Sequence, residues 1–232
     1  ESTASELDWL LIQSKKSLIF YDRFQSIKPS DVLRSRYVAL ENAPSTRIET
    51  LKTQFRCRGG NEYVKLIHDL LDNKIDSTNK FQSLEYECYL FEDLQQMVDE
   101  INKREKLDGL SRMVAGYAWE WVSNKDKSAF DIVIEDTKLR WNSVAIDWVN
   151  SPKSVDEVGC IHTTQGYDLN YTGVIIGPEL DYDFEAKQLV IDKSKYKDKA
   201  GKNTIKDDQI LKEYILNIYK TILLRGVKGN FI

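Results

Sequence analysis

Between Asn61 and Gly177 short apolar runs alternate with amphipathic stripes, and this alternation constrains the fold more than any other feature of the chain. Tyr86–Phe91, Arg112–Gly116, Val158–His162 and Thr172–Gly177 are short apolar runs of the kind that form strands. Asn61–Leu71 places Tyr63, Leu66, Ile67, Leu70 and Leu71 on one helical stripe, and Asp93–Glu105 does the same with Leu94, Met97, Val98 and Ile101. Asp207–Leu224 is the longest expected helix, with Gly226 and Gly229 behind it as stop signals. Strands that alternate with helices imply an α/β fold with a mostly parallel sheet. In such sheets ligands sit at the carboxyl ends of the strands.

The N-terminal part is more broken. Residues 6–14 read as a short amphipathic helix with Leu7, Leu10 and Leu11 on one face, and Ser17–Asp22 as a buried strand. Lys28–Asp31 is a helix start, because proline is tolerated early and Ser30 and Asp31 can cap. Tyr37–Glu41 and Arg47–Thr53 read as two further short strands. Phe130–Glu135 alternates with period two, as a half-exposed hairpin strand does. Residues 119–152 hold Trp119, Trp121, Trp141 and Trp148 in an irregular aromatic excursion. Residues 192–208 form a Lys-rich linker, and Asp192, Asp198, Asp207 and Asp208 make it a solvated loop.

Lys+Arg number 33 against 37 Asp+Glu, so nucleic-acid binding, if present, must come from a local patch. Three Cys without metal-ligand spacing point away from a disulfide framework and towards a reducing, cytoplasmic setting. No apolar run reaches the ~18 residues that span a bilayer, and no signal peptide opens the chain. The first residue is Glu1, as expected for a piece of a longer protein.

The phosphate-binding pattern G-x-x-x-x-G-K-[ST] is absent; Gly201–Thr204 is only an echo of its end. Cys160 and His162, two apart on an expected strand, share a face but have no third group to orient them for nucleophilic catalysis. His68 reads as a boundary residue of its helix, and a zinc site is not expected. Asp131, Glu135 and Lys138 admit a metal-dependent nuclease reading, although alternating charge on a half-exposed strand gives the same pattern. The tryptophans admit another, a non-catalytic module that stacks nucleic-acid bases or docks a protein. More informative are polar or cationic residues at element ends: Tyr21–Gln25, Thr53–Gly60, His162–Asp168 and Leu223–Gly226. Arginines there can neutralise charge on a transferring phosphoryl group, and a glutamine can orient water or sense the γ-phosphate.

The order of these elements resembles the later motifs of superfamily I helicase-type P-loop ATPases. More narrowly, it resembles a bacterial family described as Schlafen-like DNA/RNA helicase domains. The matching stretches are Phe20–Asp31, Leu51–Gly60, Met113–Trp121, Val158–Asp168, Gly173–Gly177 and Asn217–Gly229. The resemblance implies a RecA-like three-layer sandwich over residues 36–232, the second helicase domain, with an aromatic-rich insertion at about 117–152. It makes residues 1–35 the truncated tail of a first RecA-like domain, packed on the second or paired with another molecule. It assigns Gln25 to γ-phosphate contact, Arg56 to a reach across to the phosphates and Arg225 to the arginine-finger position. Gln165 and Gly166 would couple nucleotide state to the nucleic-acid track, beside His162, Thr163 and Thr164 as nucleic-acid contacts. Asp168 stands where the family has Glu in a ribose or coupling contact, and Leu224 where Thr is common. The implied cofactors are ATP and Mg2+, acting only in a full-length protein, and the chain holds no metal of its own. The implied partners are single-stranded DNA or RNA and an N-terminal RecA-like domain carrying the phosphate loop, with no membrane.

Overall fold

A computed structural model describes residues 5–22, 32, 34–51, 56–76, 78 and 80–232. The chain runs through α1 (Glu6–Gln13), α2 (Arg34–Glu41), α3 (Gly60–Leu71), β1 (Glu87–Tyr89), α4 (Leu94–Asp108) and β2 (Ser111–Ala115). It continues through β3 (Ile132–Ile134), β4 (Thr137–Trp141), a 3-10 turn (Trp148–Asn150), β5 (Glu157–Gly159), α5 (Ile161–Thr164) and β6 (Leu169–Ile175). It ends with β7 (Leu180–Asp183), β8 (Gln188–Ile191), α6 (Lys199–Thr204), α7 (Asp208–Leu223) and β9 (Gly226–Phe231).

Seven strands form one sheet in the order β1-β9-β6-β2-β5-β4-β3. Every neighbouring pair is parallel except the β3–β4 hairpin at one edge. On one face, residues of α3, α5 and α7 pack against Val114, Trp148, Leu169 and Val174. On the other, Met97 and Ile101 of α4 pack against Met113, Val158, Ile175 and Phe231. This is the expected RecA-like three-layer sandwich. The pleat sorts β2 cleanly, with Val114 in the first core and Met113 and Ala115 in the second. In β6 a register shift between Leu169 and Tyr171 sends these two residues to opposite cores, where a regular strand would put them on one face. The helix α7 is the main ballast: Leu211, Ile215, Ile218, Ile222 and Leu223 are each at most 2% exposed. Each contributes about 1.5–3 kcal/mol of apolar burial. Asp207 starts the helix by accepting from the Gln209 and Ile210 amides at 2.8 and 3.1 Å.

Several local expectations are corrected. Ser17–Asp22 is not a strand; Leu18 and Phe20 are 83% and 82% exposed, and no described strand lies beside them. Tyr37–Glu41 belongs to α2, because Arg34, Arg36, Ala39, Leu40 and Glu41 favour helix more strongly than Tyr37 and Val38 favour strand. Arg47–Leu51 forms no strand, and the rest of that expected strand lies outside the described residues, as does the helix start at Lys28–Asp31. The helix α7 ends at Leu223, ahead of Gly226 and Gly229 as expected, but both glycines also lie in a strand the sequence did not show, β9, well inside the sheet. A Cβ on Gly229 would meet the Tyr171 ring at 2.7 Å, so glycine is what lets β9 approach β6. The excursion at 119–152 is not irregular: it supplies β3 and β4, and Trp148 is wholly buried. The Lys-rich linker contains α6, and Lys193 pairs with Asp208 at 2.9 Å.

The division expected between residues 35 and 36 falls inside α2. Arg36 pairs with Asp8, and Tyr21 stacks on Tyr37 at 3.7 Å, so α1 and α2 hold each other. No described residue before Cys57 belongs to either core. Among the described residues no helix is long and apolar enough to cross a membrane.

Candidate functional site

Three segments meet where β6 and β9 begin. The first is the turn into α3. Gly60 takes φ +62°, and a Cβ on Gly59 would meet the Tyr63 Cβ at 2.6 Å, so the Gly-Gly pair is what allows the chain to enter the helix here. The Arg58 amide donates to the Val227 carbonyl at 2.9 Å, which fastens this turn to β9. The Tyr63 hydroxyl donates to the Leu223 carbonyl at 3.1 Å and so fastens α3 to the end of α7. The second segment is the Gln165–Asp168 loop, in which Gly166 adopts φ +90°. The third is the junction from α7 to β9, where the Arg225 carbonyl accepts from the Leu169 amide at 3.3 Å.

These segments bring Arg56, Asp168 and Arg225 together. Arg56 Nε and Asp168 Oδ1 are 2.5 Å apart, with both side chains partly exposed. Arg225 is 3% exposed. Its Nη1 makes one long bond, 3.4 Å, to the Tyr167 carbonyl, and its buried Nε has no hydrogen-bond partner among the described residues. Burial first, and then the neighbouring Arg56 cation, press the Arg225 pKa down to about 10, with Asp168 acting in the opposite sense. The result is a desolvated cation facing a like charge, with one shared carboxylate nearby.

The location corrects the general expectation for open α/β sheets. The cluster lies at the amino ends of β6 and β9, where Leu169 pairs with Gly226, not at their carboxyl ends.

The other expected site residues divide. Gln25 lies outside the described residues. Gln165 and Gly166 are exposed on the loop beside Asp168. His162 is exposed on α5, whereas Thr163 and Thr164 are buried and bond inward. Thr163 Oγ1 accepts from the Cys160 amide at 3.0 Å, and Thr164 Oγ1 donates to the Cys160 carbonyl at 3.1 Å. Since β5 ends at Gly159, Cys160 and His162 do not share a strand face; Cys160 is buried and caps α5. His68 is half-buried at the edge of its helix, as expected, with its pKa lowered by burial first and by Lys220.

The nuclease reading fails on geometry. Asp131 is buried and accepts from the Ser123 amide, the Ser123 hydroxyl and the Trp141 amide at 2.7, 2.6 and 2.8 Å. It is a structural acceptor, while Glu135 stands exposed at the hairpin turn with φ 51°. Among the described residues no group of three or more His, Cys, Asp or Glu could hold a metal ion.

Two features escaped the sequence reading. Tyr167 offers its carbonyl to Arg225 and its hydroxyl to Asp147 at 2.6 Å. Glu179 is fully buried and accepts from the Tyr219 hydroxyl at 2.6 Å, while its Oε2 has no partner among the described residues. Burial raises its pKa against the lowering effect of the Tyr219 bond. The Gly177-Pro178-Glu179 run carried the only local hint, a turn leaving a strand.

A mostly parallel seven-strand sheet with helices on both faces defines a class, the RecA-like α/β domains. A family model described as Schlafen group 3, DNA/RNA helicase domain, matches residues 1–232, and the chain belongs to that family. Among curated proteins it is similar to the uncharacterised protein YPL245W of Saccharomyces cerevisiae, 27% identical over 172 residues. That match covers 71% of this chain and 36% of the yeast protein, so the chain spans just over a third of its relative. No solved structure matches.

Proposed function

We propose that this chain is the half of a nucleic-acid-dependent NTPase that closes over the phosphates of a nucleotide held chiefly by another domain. One observation carries the reading. Arg225 is a buried guanidinium whose Nε has no partner among the described residues, and burial together with the Arg56 cation outweighs the carboxylate of Asp168. A buried cation left in that state is stabilised by an incoming anion. The polyphosphate of ATP fits this need, and Arg56 beside it supplies a second, more exposed guanidinium. With ATP and Mg2+ bound, hydrolysis of the γ-phosphate would supply the driving reaction.

This chain's own part is electrostatic. Arg225 is held by the α7–β9 junction, so it meets developing phosphoryl charge without first reorganising. Asp168 holds Arg56 until phosphate oxygens compete for it. Gln165, Gly166 and Asp168 share one short loop that follows α5, the turn carrying the exposed His162, so a displacement of Asp168 would be passed to His162 on the nucleic-acid side. Gln25 would add the γ-phosphate contact. The domain division at 35/36, the cytoplasmic setting and the single-stranded DNA or RNA partner belong to the same proposal. So does the first RecA-like domain, which would supply the phosphate loop and the metal ligands. The exposed Trp9, Leu10, Ile12, Leu18 and Phe20 offer that domain an apolar face.

The test is Arg225→Ala in the full-length protein. Turnover should fall by about 10³- to 10⁵-fold while nucleotide affinity changes little. Equal losses in both would mean that Arg225 grips only the ground state and is no finger.

A further inference from the structure

We infer that the pocket between the loop after β2 and the end of β4 is a subsite for one nucleotide of a single strand, with Trp121 as the stacking platform. Lys127 and Lys153 are its phosphate contacts. This deepens the reading of the chain as a DNA/RNA helicase domain and rests on it. The pocket has a volume of about 350 Å³ and is lined by Trp121, Asn124, Lys127, Arg140, Trp141 and Lys153. That is enough space for one base and its sugar by the usual size of small-ligand sites, about 300–1,000 Å³. In sheet order β6, β2 and β5 separate β4 from β9, so the subsite is displaced roughly 19 Å sideways from Arg225 at the usual strand spacing, and lies at the opposite, carboxyl end of the strands.

Of the tryptophans in the excursion, Trp121 is 42% exposed, whereas Trp141 and Trp148 are 3% and 0% exposed. Buried indoles build the floor; Trp121 has a face left to give. Its position is fixed. Two residues on, Ser123 is bound through both its amide and its hydroxyl to Asp131, which also takes the Trp141 amide, so the Trp121 loop is tied to β4. Arg140 is equally held. It lies over the Phe130 ring at 4.0 Å and donates to the Ala129 and Ser128 carbonyls at 2.9 and 3.1 Å.

The charge suits a phosphodiester. Asp156 and Glu157 also line the pocket. Glu157 Oε2 is already occupied, accepting from the Ser143 amide and the Trp148 indole at 2.9 Å each. Three cations, Lys127, Arg140 and Lys153, still outnumber the two carboxylates by one, and both lysines are exposed. An aromatic face beside surplus cations is how single strands are held without regard to sequence, the base on the ring and the phosphate on the lysines.

The experiment is anisotropy of labelled oligo(dT) and oligo(U) titrated with the 232-residue chain over a range of salt, with thermal melting to confirm that each variant is folded. Trp121→Ala should weaken binding about 5- to 100-fold, and Trp121→Phe should retain most of it. The double variant Lys127→Gln/Lys153→Gln should flatten the salt slope by about 0.7 per lysine. If the wild-type chain binds and these variants bind equally well, the subsite is refuted and the helicase-domain reading stands. If the folded wild-type chain binds neither oligonucleotide at low salt, the subsite and the nucleic-acid part of that reading fall together.

Discussion

Replacing Arg225 by Met should make the folded chain more stable. Unfolded, the guanidinium keeps its proton to well above pH 10; folded, burial and the Arg56 cation lower its pKa to about 10. Between those values the unfolded chain binds more protons, so stability rises with pH across that window and the penalty is complete below it. At ~1.4 kcal/mol per pH decade, holding the charge at pH 7 costs about 3 kcal/mol. The side chain is 3% exposed, so water screens little of this. Against it stands the single long bond to the Tyr167 carbonyl, worth about 1 kcal/mol. Met fills a similar volume, keeps the apolar stem and carries no charge. The net gain should be about 2 kcal/mol, or roughly 4–8 °C in Tm for a chain of this size. Urea titration and thermal melting at pH 7 measure it. Tripolyphosphate gives a second reading, raising the Tm of the wild-type chain and leaving that of Arg225→Met unmoved. A variant that melts lower than wild type would show that Arg225 is structural, and the argument for a waiting anion site would be lost.

The remaining predictions concern the frame around the site. Burial raises the Glu179 pKa above 4.5, so between 4.5 and that raised value the folded chain binds the extra proton and loses stability as pH rises. Glu179→Gln keeps an acceptor for the Tyr219 hydroxyl and should remove this loss, so urea midpoints at pH 5 and pH 8 should converge in the variant; an equal pH dependence in both proteins would rule out the raised carboxyl. Gly229→Ala should lower stability by about 1–3 kcal/mol, since the new methyl would stand 2.7 Å from the Tyr171 ring, and an unchanged melting curve would show that β6 and β9 can separate freely.

What the sequence made legible was periodicity. The stripes of α3, α4 and α7 and the apolar runs of β1, β2 and β6 are local patterns that survive packing unchanged. The strand β9 was illegible because Gly226 and Gly229 carry the signature of a helix stop, and only the neighbouring Tyr171 ring shows why a strand needs them. In α2, Tyr37 and Val38 suggested a strand, but no neighbour exists in the described residues to pair with one, and local helix propensity prevails. The residues of the site were legible as types at element ends. Their environment was not: α7, which leads into Arg225, is fastened at Leu223 by Tyr63, 160 positions away, and Arg225 itself bonds a carbonyl 58 positions away. For Thr163 and Thr164 the loop position was visible, but their hydroxyls turn back to Cys160 as caps of a single helical turn.

The placement of the cluster also explains its chemistry. At the carboxyl end of a parallel sheet, the chain enters a helix, and free amides at the helix start can hold an anion without any charged side chain. At the amino end it leaves a helix, and the last carbonyls present negative partial charge. An anion could be held there only by side-chain cations strong enough to outweigh those carbonyls. Arg225 follows the last turn of α7, where the helix dipole favours a cation by about 0.3–2 kcal/mol. The depressed pKa shows that burial and Arg56 together exceed this benefit. On the reading proposed above, two arginines at a junction that already tolerates positive charge, one buried and one held by Asp168, would do at this end of the sheet what a glycine-rich loop does at the other.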